Sequence, residues 1–229
     1  MDKTNFKSDL GIALILGSVW GFAEAALGFG LQRCAAMVSG SLMTGVALFF
    51  IAAGWATTRR YHVPVIIVIV ACLFKLFDAS LLHLPVKNGA IANPIFAFFT
   101  EGLAIIALIA IFTDKRLTKR FSRVLLGAGS ALIAVCLFPL VKFATGIPAC
   151  LYAETSIPLS IFFAPVAIAV SAITVPLAFP AGEKIRLAAA SYETAAKQKV
   201  LRYMVTPATV ILCLTLIVIF RLIFPESLS

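Results

Sequence analysis

Five charged side chains stand inside otherwise apolar stretches of the sequence: Glu24, Lys75, Asp78, Glu101 and Lys142. A charged group at the centre of a bilayer costs about 2.5–3.5 kcal/mol on insertion scales, so such groups normally pair, face a cavity or carry function. Lys75 and Asp78 are three residues apart and can form an ion pair on one helix. Three acids against two bases leave one negative charge unmatched unless a carboxyl group is protonated. This balance favours a site for a cationic or zwitterionic small molecule.

The composition places these charges in a membrane protein. Hydrophobic residues make up 62% of the 229 residues and charged residues 13%, whereas soluble domains carry about 45–50% and 25%. Several apolar runs reach the roughly 20 residues that a helix needs to cross about 30 Å of hydrocarbon. Backbone polar groups cannot stay unpaired in lipid, and the runs lack period-two alternation, so they are predicted to be helices. The predicted fold class is an all-α integral membrane protein.

A bundle of about seven transmembrane helices is predicted, with six possible, as a single transmembrane domain over residues 1–229. The predicted spans are 10–31, 38–57, 63–82, 94–112, 124–143, 157–179 and 204–224. Asn93 followed by Pro94 is typical of a helix start, which would place Glu101 roughly 10 Å along the fourth span. Pro165 is expected to kink the sixth span and to free backbone carbonyl groups there.

The loop bases predict the orientation of the spans. Fourteen Lys and Arg residues fall on one side of the seven spans, and only Arg33, Lys87 and Arg221 fall on the other. Because cytoplasmic loops carry the excess of bases, we expect a multi-pass protein of the cell (inner) membrane with a cytoplasmic amino terminus and an external carboxyl terminus. The net charge of +9 is thus a topology signal, and no nucleic-acid partner is expected. Residues 183–203 show helical apolar spacing and are predicted to form a cytoplasmic amphipathic helix before the last span.

The depth of the charged residues points to one site. Four of the five lie near the outer ends of outward-running spans, and Glu101 lies near the start of the inward-running fourth span. We therefore expect them to surround one outward-facing polar cavity in the outer third of the bilayer, with Asn93 at its rim. The predicted substrate-binding residues are Glu24, Lys75, Asp78, Asn93, Glu101 and Lys142.

The sequence contains no recognisable catalytic or nucleotide-binding motif. A Walker loop and the patterns G-x-S-x-G, H-E-x-x-H and C-x-x-C are all missing from the sequence. His62 and His83 lie about 20 residues apart on one predicted helix, so roughly 30 Å separates them and they cannot share a metal ion. Neither a cofactor nor a metal site is predicted, and any ATP-driven transport would need a further subunit.

Two of the five cysteines fall in outward-facing loops. Cys34 and Cys150 could form a disulfide in an oxidising compartment, although the sequence cannot show that their Cα atoms come within bridging range. The other three lie inside predicted spans and are interpreted as small apolar residues.

Small residues recur at four-residue spacing on the first span, at Ala13, Gly17, Gly21 and Ala25, and form a stripe that permits close helix approach. With this stripe and its general architecture, the chain resembles the substrate-binding S components of energy-coupling-factor (ECF) vitamin transporters. The resemblance implies a pocket near the outer face and a first helix that meets a transmembrane coupling protein, with ATPase subunits as further partners. That family typically has six spans with both termini cytoplasmic, a departure from the seven predicted here. Packing within the chain is the alternative explanation of the stripe.

The sequence favours a membrane carrier or substrate-binding subunit for a small solute over two other classes. One alternative is an intramembrane enzyme acting on a lipid or quinone, with Glu24, Asp78 or Glu101 as acid–base groups. The other is a non-catalytic assembly or sensor subunit in which the charges hold helices together.

Overall fold

The computed structural model describes residues 3–34, 38–149, 151, 155–193 and 196–223. This part of the chain is helical and contains no strand beyond one isolated bridge. A short 3-10 helix, Phe138–Leu140, follows the fifth α-helix. The α-helices of the described residues are α1 (Lys3–Cys34), α2 (Ser39–Thr58), α3 (His62–Leu81), α4 (Gly89–Arg116), α5 (Arg120–Leu137), α6 (Val141–Thr145), α7 (Leu159–Phe162), α8 (Ala164–Glu193) and α9 (Ala196–Ile223).

Seven helical segments are long and apolar enough to cross a membrane. The predicted helical architecture is therefore confirmed, and the segments are consistent with a multi-pass membrane protein. The fifth segment includes α5, the 3-10 helix and α6. The segments are Phe6–Leu27, Ser39–Thr58, His62–Leu81, Gly89–Arg116, Arg120–Thr145, Ala164–Ala190 and Met204–Ile223.

The fourth span starts earlier than predicted. Asn88 caps α4, because its side-chain oxygen accepts a 2.9 Å hydrogen bond from the backbone N–H of Ala90. The predicted cap at Asn93 is thus wrong, and Pro94 lies inside the helix. Glu101 consequently lies twelve residues, or roughly 18 Å, from the start of α4 rather than the predicted 10 Å. Glu101 therefore lies farther along its helix than the sequence suggested.

The break in the sixth span also differs from the prediction. The short α7 ends at Phe162 and α8 begins at Ala164, so Pro165 lies in the first turn of α8. A proline there removes no helical hydrogen bond, and the predicted interior kink at Pro165 is wrong. The chain breaks at Phe163, whose carbonyl oxygen accepts a 3.1 Å hydrogen bond from the Ser41 hydroxyl group. The break therefore connects the start of α8 to α2.

The predicted cytoplasmic helix over residues 183–203 is divided between two elements. Its first part continues α8 to Glu193, and its last part lies in α9, which begins at Ala196. Residues 194 and 195 lie outside the described part. A separate amphipathic helix is not shown and stays a prediction.

The small-residue stripe of α1 packs against α3 within the chain. A Cβ atom added at Gly17 would lie 2.7 Å from the Cβ atom of Val70, and one at Gly21 would overlap the side chain of Phe74. The flanking stripe residues Ala13 and Ala25 are also buried. The stripe therefore packs within the chain. Because α3 covers this face, it is not free for a second protein.

Ion pairs fix the relative direction of α1, α3 and α9. Asp9, near the start of α1, contacts His62 at 3.1 Å and Arg60 at 3.4 Å, at the start of α3. Asp78, near the end of α3, binds Arg221 near the end of α9. These three helices therefore run in the same direction. We call the end of the bundle where α1 and α3 end the site end.

Candidate functional site

A cavity of about 370 Å³ lies at the site end of the bundle. Its walls come from the ends of α1, α3 and α5, the starts of α2 and α4, and α7. Four of the predicted site residues line it, and they come from three different helices. These four are Glu24, Lys75, Asn93 and Glu101. The predicted meeting of charges from several helices is thus found for this subset.

The cavity grades from an exposed rim to a buried floor. At the rim, Gly40 and Ala90 are exposed, and Asn93 is half-buried. Toward the floor, Glu101 is only 4% exposed and Phe98 only 3%. A solute that enters from the rim would therefore lose most of its water before it reaches Glu101.

Asp78 does not line the cavity. Its carboxylate binds the Arg221 guanidinium group through two hydrogen bonds of 2.8 Å. The predicted ion pair between Lys75 and Asp78 is not among the ion pairs of the described residues. A guanidinium group can donate to both carboxylate oxygens at once, whereas an ammonium group is a point charge. Arg221, distant in sequence, is therefore the ion-pair partner of Asp78 in place of Lys75.

Lys142 is also outside the cavity. The helix α5 ends at Leu137, and a 3-10 turn containing Pro139 comes before α6. Proline has no N–H to continue the α-helical pattern, so the continuous fifth span that was predicted to carry Lys142 into the site is broken. Its side chain is exposed on α6.

Glu101 is the most deeply buried charge-bearing group of the cavity. Its buried Oε2 atom has no hydrogen-bond partner in the part of the chain that the structure describes, because the neighbouring Thr44 hydroxyl group donates its hydrogen to the carbonyl oxygen of Gly40. Among the described residues, no Lys, Arg or His forms an ion pair with Glu101. A buried acceptor without a partner costs about 1–3 kcal/mol, and more when it is charged. This oxygen is therefore left to accept a hydrogen bond from a donor that enters the cavity.

Glu24 has a different electrostatic environment. It is 7% exposed, and its charged neighbours are Lys75, which attracts the carboxylate, and Asp78, which repels it. No direct ion pair joins Glu24 to Lys75 among the described residues. Both groups line the cavity, so each can still contact a solute.

Hydroxyl groups that were not predicted from the sequence complete the polar lining. Several of them donate their single hydrogen to a backbone carbonyl oxygen. Ser and Thr commonly bond in this way within membrane helices, so nothing in their spacing distinguishes them from packing residues. The donations are Ser41 to Phe163 at 3.1 Å, Thr44 to Gly40 at 3.1 Å and Thr100 to Ala97 at 2.9 Å.

Asn93 and its neighbour add further acceptors. The Oδ1 atom of Asn93 is buried, and no described residue forms a hydrogen bond with it. Pro94 has no N–H to donate to the carbonyl oxygen of Ala90 four residues earlier, and both residues line the cavity. The wall formed by the first two turns of α4 is therefore rich in acceptors.

Other predictions concern metal and disulfide chemistry. Within the described residues, no group of three His, Cys, Asp or Glu side chains could hold a metal ion. Cys72, Cys136 and Cys213 are free thiols. The Cys34 side chain and Cys150 lie outside what the structure describes, so the disulfide stays a prediction.

The fold and the site define a helical bundle with seven membrane-length segments and a polar cavity at one end. No family model, curated protein or solved structure matches this chain. The ECF resemblance therefore rests on its architecture and on the α1 stripe alone.

Proposed function

We propose that this chain is a membrane carrier, or the substrate-binding subunit of one, that takes a small polar solute into the site-end cavity. The supporting observation is that Glu24, Lys75 and Glu101 reach one cavity from three helices. Charged groups within membrane spans are expensive and commonly mark substrate pathways. A volume of about 370 Å³ falls within the roughly 300–1,000 Å³ of small-molecule sites.

The proposed orientation places this cavity on the outer face. The loops and helix ends rich in bases, including Arg59, Arg60 and Lys119, are at the opposite end of the bundle from the cavity. The positive-inside rule makes that opposite end cytoplasmic. In this arrangement the amino terminus and the amphipathic segment 183–203 are cytoplasmic, the carboxyl terminus is external, and the protein sits in the cell membrane.

A transmembrane coupling protein and ATPase subunits are proposed partners under the ECF resemblance. The α1 stripe faces α3, so a coupling protein would have to use another surface.

A second candidate function, a non-catalytic assembly or sensor subunit, is favoured by the Asp78–Arg221 pair, which joins two helices of the same chain. Within the described part of the chain Glu101 has no such pair, which favours the carrier.

A cavity-filling variant tests the proposed function. Ala97 lines the cavity, and Ala107, ten residues further along α4, is exposed outside it. In Ala97→Phe the new ring occupies the solute's space, whereas in Ala107→Phe it faces outward. Native mass spectrometry of protein taken from its own membrane should find a bound small molecule in the wild type and in Ala107→Phe. The molecule should be lost from Ala97→Phe at unchanged folded yield.

Two other results of this experiment would contradict the proposed function. A small molecule retained equally by both phenylalanine variants would place its binding outside this cavity. No bound molecule in the wild type, even after incubation with a cell extract, would favour the assembly or sensor role.

A further inference from the structure

We infer that the solute is an organic cation whose charged nitrogen carries N–H donors and binds at Glu101. This inference rests on the proposed function and adds the substrate class. It follows from three independent properties of the lining, namely its hydrogen-bonding polarity, its charge and its apolar walls.

The lining accepts many hydrogen bonds and donates few. A hydroxyl group has one hydrogen and two lone pairs, and Ser41, Thr44 and Thr100 commit that hydrogen to groups of the protein. Toward the cavity these hydroxyl groups can only accept. The lining side chains with hydrogens to offer a solute are chiefly Lys75 and Asn93. A solute that fits this surface must therefore bring donors.

The unpartnered acceptors are placed along one helix. Oε2 of Glu101 and Oδ1 of Asn93 are both buried and have no hydrogen-bond partner in the described part of the chain. The two residues are eight positions apart on α4, which corresponds to roughly 12 Å along the axis. An N–H-bearing group at the floor satisfies Glu101, and a second donor nearer the rim satisfies Asn93. A charged donor to a carboxylate makes the stronger of these bonds.

The charge of the lining selects a cation. Two carboxylates, Glu24 and Glu101, face one ammonium group, Lys75, so the ionised lining carries one excess negative charge. Lys75 acts electrostatically on Glu24, and Glu101 has no ion-pair partner among the described residues. A cationic group at Glu101 balances the site. A zwitterion also fits, because its carboxylate can contact Lys75.

Apolar walls favour an organic cation over a bare metal ion. Phe98, Phe138 and Phe163 line the cavity beside the polar groups. A small inorganic ion would use neither these rings nor a space of about 370 Å³. An aliphatic or aromatic body attached to an ammonium group would use both, since ring faces also attract cations.

Charge-sorted extracts test the inference without assuming a particular molecule. Low-molecular-mass cell extract is passed over a strong cation exchanger under acidic conditions, which retains amines and zwitterions and passes neutral and purely anionic molecules. Wild-type protein is incubated with each fraction, and native mass spectrometry measures the mass of the protein with any bound molecule. The retained fraction should supply an organic molecule that binds. The Glu101→Gln variant should bind that molecule about 10- to 100-fold more weakly, because a charge-assisted hydrogen bond is lost.

Two variants accompany this test. Glu101→Asp keeps the charge and should recover part of the affinity that Glu101→Gln loses. Asp114→Asn removes a carboxylate from the other end of the same helix, where Asp114 is 71% exposed, and should bind normally. A thermal unfolding measurement on each variant separates loss of binding from loss of folding.

Three other outcomes would contradict the inference in different ways. Binding of a molecule from the unretained fraction, or of an inorganic ion alone, overturns the cation inference and leaves small-molecule binding standing. Equal binding by Glu101→Gln overturns the assignment of the charged nitrogen to Glu101. Binding from neither fraction overturns both the inference and the proposed function.

Discussion

The Arg221 guanidinium group binds the Asp78 carboxylate in a two-point contact that attaches α9 to α3. Nε and Nη2 each lie 2.8 Å from a carboxylate oxygen. The Asp78 side chain is 1% exposed and that of Arg221 is 14% exposed. Little of the Met204–Ile223 span is buried by the rest of the chain. Most of the packing of α9 within the chain is against α1, and this ion pair adds a polar contact between the ends of α9 and α3.

Removing one member of this pair should destabilise the protein more than removing both. Arg221→Met leaves the buried Asp78 carboxylate without this guanidinium group, and Asp78→Leu takes from Arg221 its two-point contact. Each single change should cost about 3–5 kcal/mol where the remaining charge stays enclosed. The double variant leaves no charge behind and should recover most of the loss. Thermal unfolding in detergent measures all three.

Lys75→Met separates this arrangement from the one that the sequence suggested. If Arg221 is the partner of Asp78, Lys75→Met should not reproduce the loss seen in Arg221→Met. A destabilisation by Lys75→Met that Asp78→Leu relieves would instead establish a Lys75–Asp78 pair.

The sequence predicted the helices well because membrane helices carry a continuous signal over some 20 residues. Their ends were predicted less well, because end signals are local and can be duplicated. Asn88 and Asn93 are both capping residue types, and Pro94 after Asn93 made the wrong one more attractive. The error placed the start of α4 five residues too late, so Glu101 was predicted five residues too close to the start of its helix.

The charged lining of the cavity was predicted in part, for a related reason. Charge in an apolar run is a strong signal for a single residue, so Glu24, Lys75 and Glu101 were found. Which charges meet depends on packing between distant segments. Asp78 and Arg221 are 143 positions apart, and spacing along one helix could not indicate that contact.

Close approach of α1 to α3 should make Gly21 intolerant of even one added methyl group. In Gly21→Ala the new Cβ overlaps Phe74, and the forced shift should cost about 1–3 kcal/mol. Gly40→Ala is the matched control, since no atom of the described residues lies within 4 Å of its added Cβ. Unfolding of the two variants by heat should show a clear loss for the first and little change for the second. Equal stability would mean that the two helices are more loosely packed.

The disulfide prediction concerns the oxidised protein. If Cys34 and Cys150 are bridged, thiol labelling of denatured, non-reduced protein should modify three cysteines, and prior reduction should raise the number to five. The three expected labels fall on Cys72, Cys136 and Cys213, which are free. Five labels without reduction would exclude the bridge. Labelled peptides identified by mass spectrometry give the assignment directly.

The orientation of the bundle is tested by reporters at two positions. Fourteen loop bases against three predict a cytoplasmic Arg123 and an external Ser229. Alkaline phosphatase, which is active only outside the cytoplasm, should be active when fused after Ser229 and inactive when fused after Arg123. A fluorescent protein that matures only in the cytoplasm should give the opposite pattern at the same two sites. Reversed reporter activity at both sites would mean that the cavity faces the cytoplasm. A cytoplasmic Ser229 with a cytoplasmic Arg123 would mean that one of the seven apolar helices does not cross the membrane.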